Sequence, residues 1–205
     1  MHHHTTHRFQ LVEDRNARDT RGSQPGPASE CLAMSDLTVH VTRGVDLAGI
    51  QRFYERVLGC RSLKLTSEEL VLEVSPLQTL AFRPRPVGEA QHAEIETLDE
   101  GLANNGAHVS MYLHPAGFSA AYDRAADLNC TFVNMRFKRR AYTKEEALDQ
   151  CMFRVLEIVD PDDRHAGPIL KLEHEIRSIT KADGATKYKS APFSGAAMSS
   201  FLATK

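Results

Sequence analysis

Two short stretches of strict apolar–polar alternation, residues 37–42 (Leu-Thr-Val-His-Val-Thr) and 107–113 (Ala-His-Val-Ser-Met-Tyr-Leu), constrain this chain more than any other feature. Successive side chains of a strand point to opposite faces, so each stretch reads as a half-buried strand with its apolar residues on one side. His40 then shares its face with Thr38 and Thr42, and His108 shares its face with Ser110 and Tyr112. Helical spacing follows both. Asp46 offers an N-cap carboxylate, Leu47, Ile50, Tyr54, Val57 and Leu58 recur at helical intervals, and Gly59 supplies the stop, which predicts a helix over 47–58. In the second case a Pro-Ala-Gly turn at 115–117 leads into Phe118, Ala121, Tyr122, Ala125 and Leu128, closed by Asn129.

Three strand-like runs come after each helix: 61–65, 70–74 and 78–83 in the first case, 131–134, 151–159 and 168–176 in the second. The second copy is enlarged at 138–150, where Thr143 and Glu146 have the spacing of a capping box for a short helix. The pattern predicts an α+β chain of two βαβββ modules, about 36–87 and 107–179, joined by the polar stretch 88–105. Neither unit is large enough to complete a core alone, so the two are expected to pair and enclose a shared cavity, where function should be sought.

Composition narrows the function classes. In 205 residues, 25 Lys and Arg balance 27 Asp and Glu, so no bulk charge draws the chain to nucleic acid or an anionic membrane; a small-molecule substrate is the expected partner. No apolar run is long enough to cross a bilayer. The four cysteines lack CxxC spacing and read as reduced intracellular thiols, which gives a cytoplasmic expectation. Residues 1–35 read as a disordered leader and 180–205 as a flexible tail; Glu13, Asp14 and Asp19 weaken a targeting reading of the leader's arginines. Its histidines at 2, 3, 4 and 7 are set apart from the site as an adventitious terminal run. Neither a Gly-rich phosphate loop nor a nucleophile elbow is present, which removes kinase, dinucleotide-dependent and serine-hydrolase readings.

The segment 46–59, Asp-Leu-Ala-Gly-Ile-Gln-Arg-Phe-Tyr-Glu-Arg-Val-Leu-Gly, resembles the first-helix signature of the vicinal oxygen chelate superfamily, which holds glyoxalase I, extradiol dioxygenases and the bleomycin and fosfomycin resistance proteins. Asp160-Pro161, ahead of a glycine and a strand ending in Glu, resembles that superfamily's closing hairpin. The resemblance implies metal ligands on the cavity faces of each module's first and last strands. His40 and His108 match the first strands and Glu173 the last, with Glu175 as its alternative; the first module's last strand offers no acid. Two imidazoles and a carboxylate form a facial set suited to one divalent ion, whether Fe, Mn, Zn or Ni. The implied activity is dioxygenase-like or lyase-like, on a small substrate that chelates the ion through neighbouring oxygens. Metal-free binding or sequestration of a small molecule is the alternative, since the fold hosts both.

Arg83 and Tyr112 fall on the inner faces by alternation and are candidates for orienting a substrate. Arg136, within the basic run Arg136, Lys138, Arg139 and Arg140, would clamp a carboxylate or phosphate if that run overhangs the cavity; such runs are ordinarily solvated loops. A homodimer is compatible with all of this.

Overall fold

The computed structural model describes residues 35–76, 78–86, 108–181 and 183–185. The expected leader (all but Ser35), the inter-module linker and the end of the tail lie outside the described residues. The first module runs β1 (Asp36–Val41), α1 (Leu47–Phe53), β2 (Arg61–Leu65), β3 (Leu70–Ser75) and β4 (Gln78–Pro84). The second runs β5 (Val109–Leu113), α2 (Pro115–Asp127), β6 (Thr131–Phe132), α3 (Lys144–Gln150), β7 (Met152–Val159) and β8 (Pro168–Ser178). The two sheets repeat one topology, β1-β4-β3-β2 and β5-β8-β7-β6. In each, the first strand pairs parallel to the last and the other neighbours are antiparallel. The two βαβββ modules predicted from the alternation are thus present.

Local chemistry explains the helix boundaries. Asp46 caps α1 by accepting from the Gly49 N–H at 2.9 Å, and Thr143 with Glu146 closes a full capping box on α3. The helix predicted over 47–58 is α-helical only to Phe53; from Tyr54 to Leu58 the ladder widens to a π turn, closed by Gly59 at φ +77°. Such a turn inserts into a helix where tertiary contacts demand it. Here it carries Tyr54, which is fully buried between the two modules. The strand predicted over 131–134 stops at Phe132, because Asn134 leaves the sheet to bond elsewhere.

One core spans both modules. Ile50, Phe53 and Val57 meet Leu70, Leu72 and Phe82 of the first sheet, and the same cluster continues through Phe118, Phe153, Val155 and Ile176 of the second. Full burial of side chains of this size stabilises by roughly 1.5–3 kcal/mol each before entropy is set against it. Polar contacts pin the modules together as well. Arg52 grips Asp160 with Nε at 2.8 Å and Nη2 at 2.5 Å, Arg56 reaches Asp162, and Arg124 donates to the Val57 carbonyl at 3.0 and 3.1 Å. The Asp160-Pro161 turn therefore docks on α1. The approach is close: a Cβ on Gly49 would stand 2.6 Å from Ile169 Cδ1 and 2.5 Å from Asp46 Oδ2. Uninterrupted alternation in β8 puts Ile169 on the cavity side, but the register slips between Val155 and Glu157 and again between Ile158 and Val159, and at each slip β8 holds one extra residue, the second being Ile169 itself. Ile169 consequently packs toward α1.

Candidate functional site: a buried charge network on the second sheet

On the helix side of the second sheet, Phe153 packs against Phe118 and Tyr122 at ring distances of 5.2 and 5.3 Å. Alternation sends Arg154, Glu175, Arg177 and Tyr112 to the opposite face, with Arg154 beside Glu175 and Tyr112 beside Arg177 in register. Glu173, two residues before Glu175 on β8, shares that face. Arg154 Nη1 bonds Glu173 at 2.5 Å, and its Nη2 bonds Glu175. All three residues are at most 5% exposed.

Further groups complete the neutralisation. Asn134 Nδ2 donates to Glu173 Oε2 at 2.8 Å, Arg177 donates to Glu175 and to the Tyr112 hydroxyl at 3.1 Å, and His108 Nε2 lies 3.5 Å from Glu175. Phe137 covers the network, its ring centroid 4.1 Å from the Arg154 guanidinium carbon and 5.8 Å, edge-on, from the His108 ring. Buried carboxylates are tolerated only when paired, and here two guanidinium groups and an amide pair them. The space between loop 133–141 and β7 admits no water-sized molecule.

Of the residues expected to hold a metal, His108 and Glu173 lie in or beside this network. His40 sits exposed on β1, next to Arg83 in register on the other sheet. Among the described residues no three His, Cys, Asp or Glu side chains converge as a metal would require. The donor chemistry points the same way, since both oxygens of Glu173 and both of Glu175 already accept from charged or amide N–H groups. The residues present do not fit a divalent ion: the cation between the carboxylates is Arg154 itself. Arg83 is half-exposed and bonded to Glu69 at 2.5 Å, and its partner's acidity is strengthened by hydrogen bonds from Lys64 and then Arg83. Tyr112 joins the network through Arg177, while the Arg136 side chain is exposed beside it.

Asn134, Phe137, Arg154 and Arg177 did not stand out from the sequence as site residues. The signal for Arg154 was legible, though: a lone cation among Met152, Phe153, Val155 and Leu156 requires a buried counter-charge. Behind the network, Tyr54 and His174 are both fully buried, with Tyr54 Oη 2.6 Å from His174 Nε2 and His174 Nδ1 2.6 Å from the Leu172 carbonyl. A carbonyl only accepts, so Nδ1 carries the proton and Nε2 accepts from the tyrosine. Burial lowers the His174 pKa to about 4 and raises that of Tyr54. Burial also pushes the Cys60 and Cys130 thiols up to about 12, so neither is a thiolate nucleophile at neutral pH. No helix of the described residues is long and apolar enough to cross a membrane.

No protein-family model matches the sequence, and no curated protein does. Solved structures do resemble it. A glyoxalase-related enzyme from Fulvimarina pelagi is 14% identical, with 78% of this chain and 100% of that one covered at a TM-score of 0.43. A lactoylglutathione lyase from Agrobacterium tumefaciens is 15% identical over 73% and 96% of the two chains, TM-score 0.40. The fosfomycin resistance protein FosX from Listeria monocytogenes, complexed with Mn(II) and sulfate, is 9% identical over 71% and 89%, TM-score 0.43. Function has to be argued from the chain's own residues.

Proposed function

We propose that this chain is a small-molecule-binding or sequestration protein that works without a resident metal, with its site on the Arg154 face of the second sheet. The observation that supports this reading is the Arg154 guanidinium bonded to both Glu173 and Glu175. A fixed organic cation there satisfies the carboxylates at every pH at which they are ionised, and arginine does not lose its charge in a protein. A divalent ion would have to expel it and leave a guanidinium buried without partners, which is strongly unfavourable.

The competing reading is a metal-dependent enzyme in which His40, His108 and Glu173 hold one divalent ion and a substrate chelates it through neighbouring oxygens. What favours it is the approach of His108 to Glu175 at 3.5 Å, an imidazole and a carboxylate within reach of one centre. The two separate in one experiment on the full chain with His2, His3, His4 and His7 replaced by alanine. Fe, Mn, Zn and Ni are quantified in the purified protein and in its Glu173→Gln variant. The metal-free reading expects well under one equivalent in both. One equivalent in the parent, lost in the variant, overturns it.

A further inference from the structure

Loop 133–142 is fastened mostly to itself and to the end of α3. Arg140 donates to the Phe137 carbonyl at 2.9 Å and the Met135 carbonyl at 2.6 Å, and Gln150 Nε2 donates to the Arg140 carbonyl at 2.6 Å. Two side chains seat it on the charge network. Asn134 bridges Glu173 and the Arg136 N–H, and Phe137 lays its ring on the guanidinium of Arg154. Phe137 is half-buried, with Met135, Arg136, Lys138 and Arg139 exposed around it. One donor of that guanidinium group is left over: Arg154 Nε is buried and has no hydrogen-bond partner among the described residues. Arg154 spends Nη1 and Nη2 on the two glutamates, and none of the described residues brings an acceptor to the third N–H. A buried donor without an acceptor is an uncommon and costly arrangement.

We infer that Phe137 is a plug in a ligand seat, and that the seat takes an arylalkanoic acid: an aromatic ring separated from a carboxylate by saturated carbon. This rests on the metal-free reading above, because it needs Arg154 to stay in place. The ring replaces Phe137 over the guanidinium and edge-on to His108, both of which favour a π face over an aliphatic one. The carboxylate supplies the acceptor that Nε lacks. A saturated carbon is required because the stacked ring lies above the guanidinium plane, whereas the Nε–H points within it. Overall charge agrees. Glu173 and Glu175 are balanced by Arg154 and Arg177, so the incoming negative charge is met by Arg136, Lys138 and Arg139 around the mouth.

Phenylacetate tests this directly, since it keeps the benzyl group that Phe137 presents and adds the carboxylate; cyclohexylacetate has the same charge and bulk without the π face. Both are titrated into the full chain and its Phe137→Ala variant in EDTA, followed by heteronuclear NMR. Vacating the seat is expected to tighten phenylacetate at least about tenfold over the parent and about tenfold over cyclohexylacetate, with shifts at Asn134, His108 and Arg154. Equal binding of the two acids, or no gain on removing the ring, overturns the inference. Should the alanine variant not fold, Phe137→Leu keeps apolar bulk and is expected to show the same preference at about threefold. Failure here with no metal in the parent sinks the plug alone; one equivalent of metal lost in Glu173→Gln sinks the reading beneath it.

Discussion

The two sheets share a strand order and differ in what they do with charge. On the first, Arg83 pairs with Glu69 while half its side chain remains in solvent, and Arg61 pairs with Glu73 in similar exposure. On the second, Arg154, Glu173 and Glu175 are paired with almost no access to water. Exposed pairs contribute about 0–1 kcal/mol each, whereas losing one member of a buried pair strands the other at about 3–5 kcal/mol. A repeated fold therefore carries one solvated face and one face whose charges must stay matched. Selectivity can be built only on the second, where removing water makes each interaction specific.

The comparison breaks first at Arg154. Arg154→Met is expected to destabilise the protein by about 3–5 kcal/mol in urea unfolding, and Arg83→Met by less than about 1 kcal/mol. Equal effects would mean that the two faces do not differ as described. Next is acidification. The His174 pKa falls from 6.5 to about 4 on folding, so stability is complete above pH 6.5 and drains away as pH drops toward 4, by roughly 3 kcal/mol in all. The first module's Glu69 is shifted downward from 4.5 by its partners, so its contribution is intact above 4.5 and fades only below it. A stability profile flat between pH 6.5 and 4.5 would contradict the buried neutral imidazole. Gly49→Ala follows, since the new methyl meets Ile169 and Asp46; about 1–3 kcal/mol is expected, read as a lowered melting temperature. Smallest is Tyr54→Phe, which removes the bond across the modules and leaves His174 Nε2 unpaired, for about 1–2 kcal/mol by the same unfolding measurement.

How much of this was legible follows from what each signal depends on. Strand alternation and helix spacing are local, so β1, α1, β5 and the repeated order could be read from residues 37–59 and 107–128. The capping box of α3 was equally local. The site was harder because its decisive contacts join β7, β8 and loop 133–142, whose pairing no local spacing reveals. His108 stands out by its place in the repeat, and Glu173 by the resemblance of the closing strand. Arg154 carries no motif of its own, because the carboxylates that hold it come from β8. The π turn at Tyr54 was invisible for a related reason: apolar spacing there serves an α-helix and a widened one alike.

The central claim, that the Arg154 guanidinium stands where a metal ion would otherwise neutralise Glu173 and Glu175, is tested most directly by titrating Mn(II) into the full chain lacking its terminal histidines and counting free ion by electron paramagnetic resonance. The parent is expected to leave essentially all Mn(II) free, and Glu173→Gln to change nothing. One tightly bound Mn(II) per chain in the parent, released by Glu173→Gln, would contradict it.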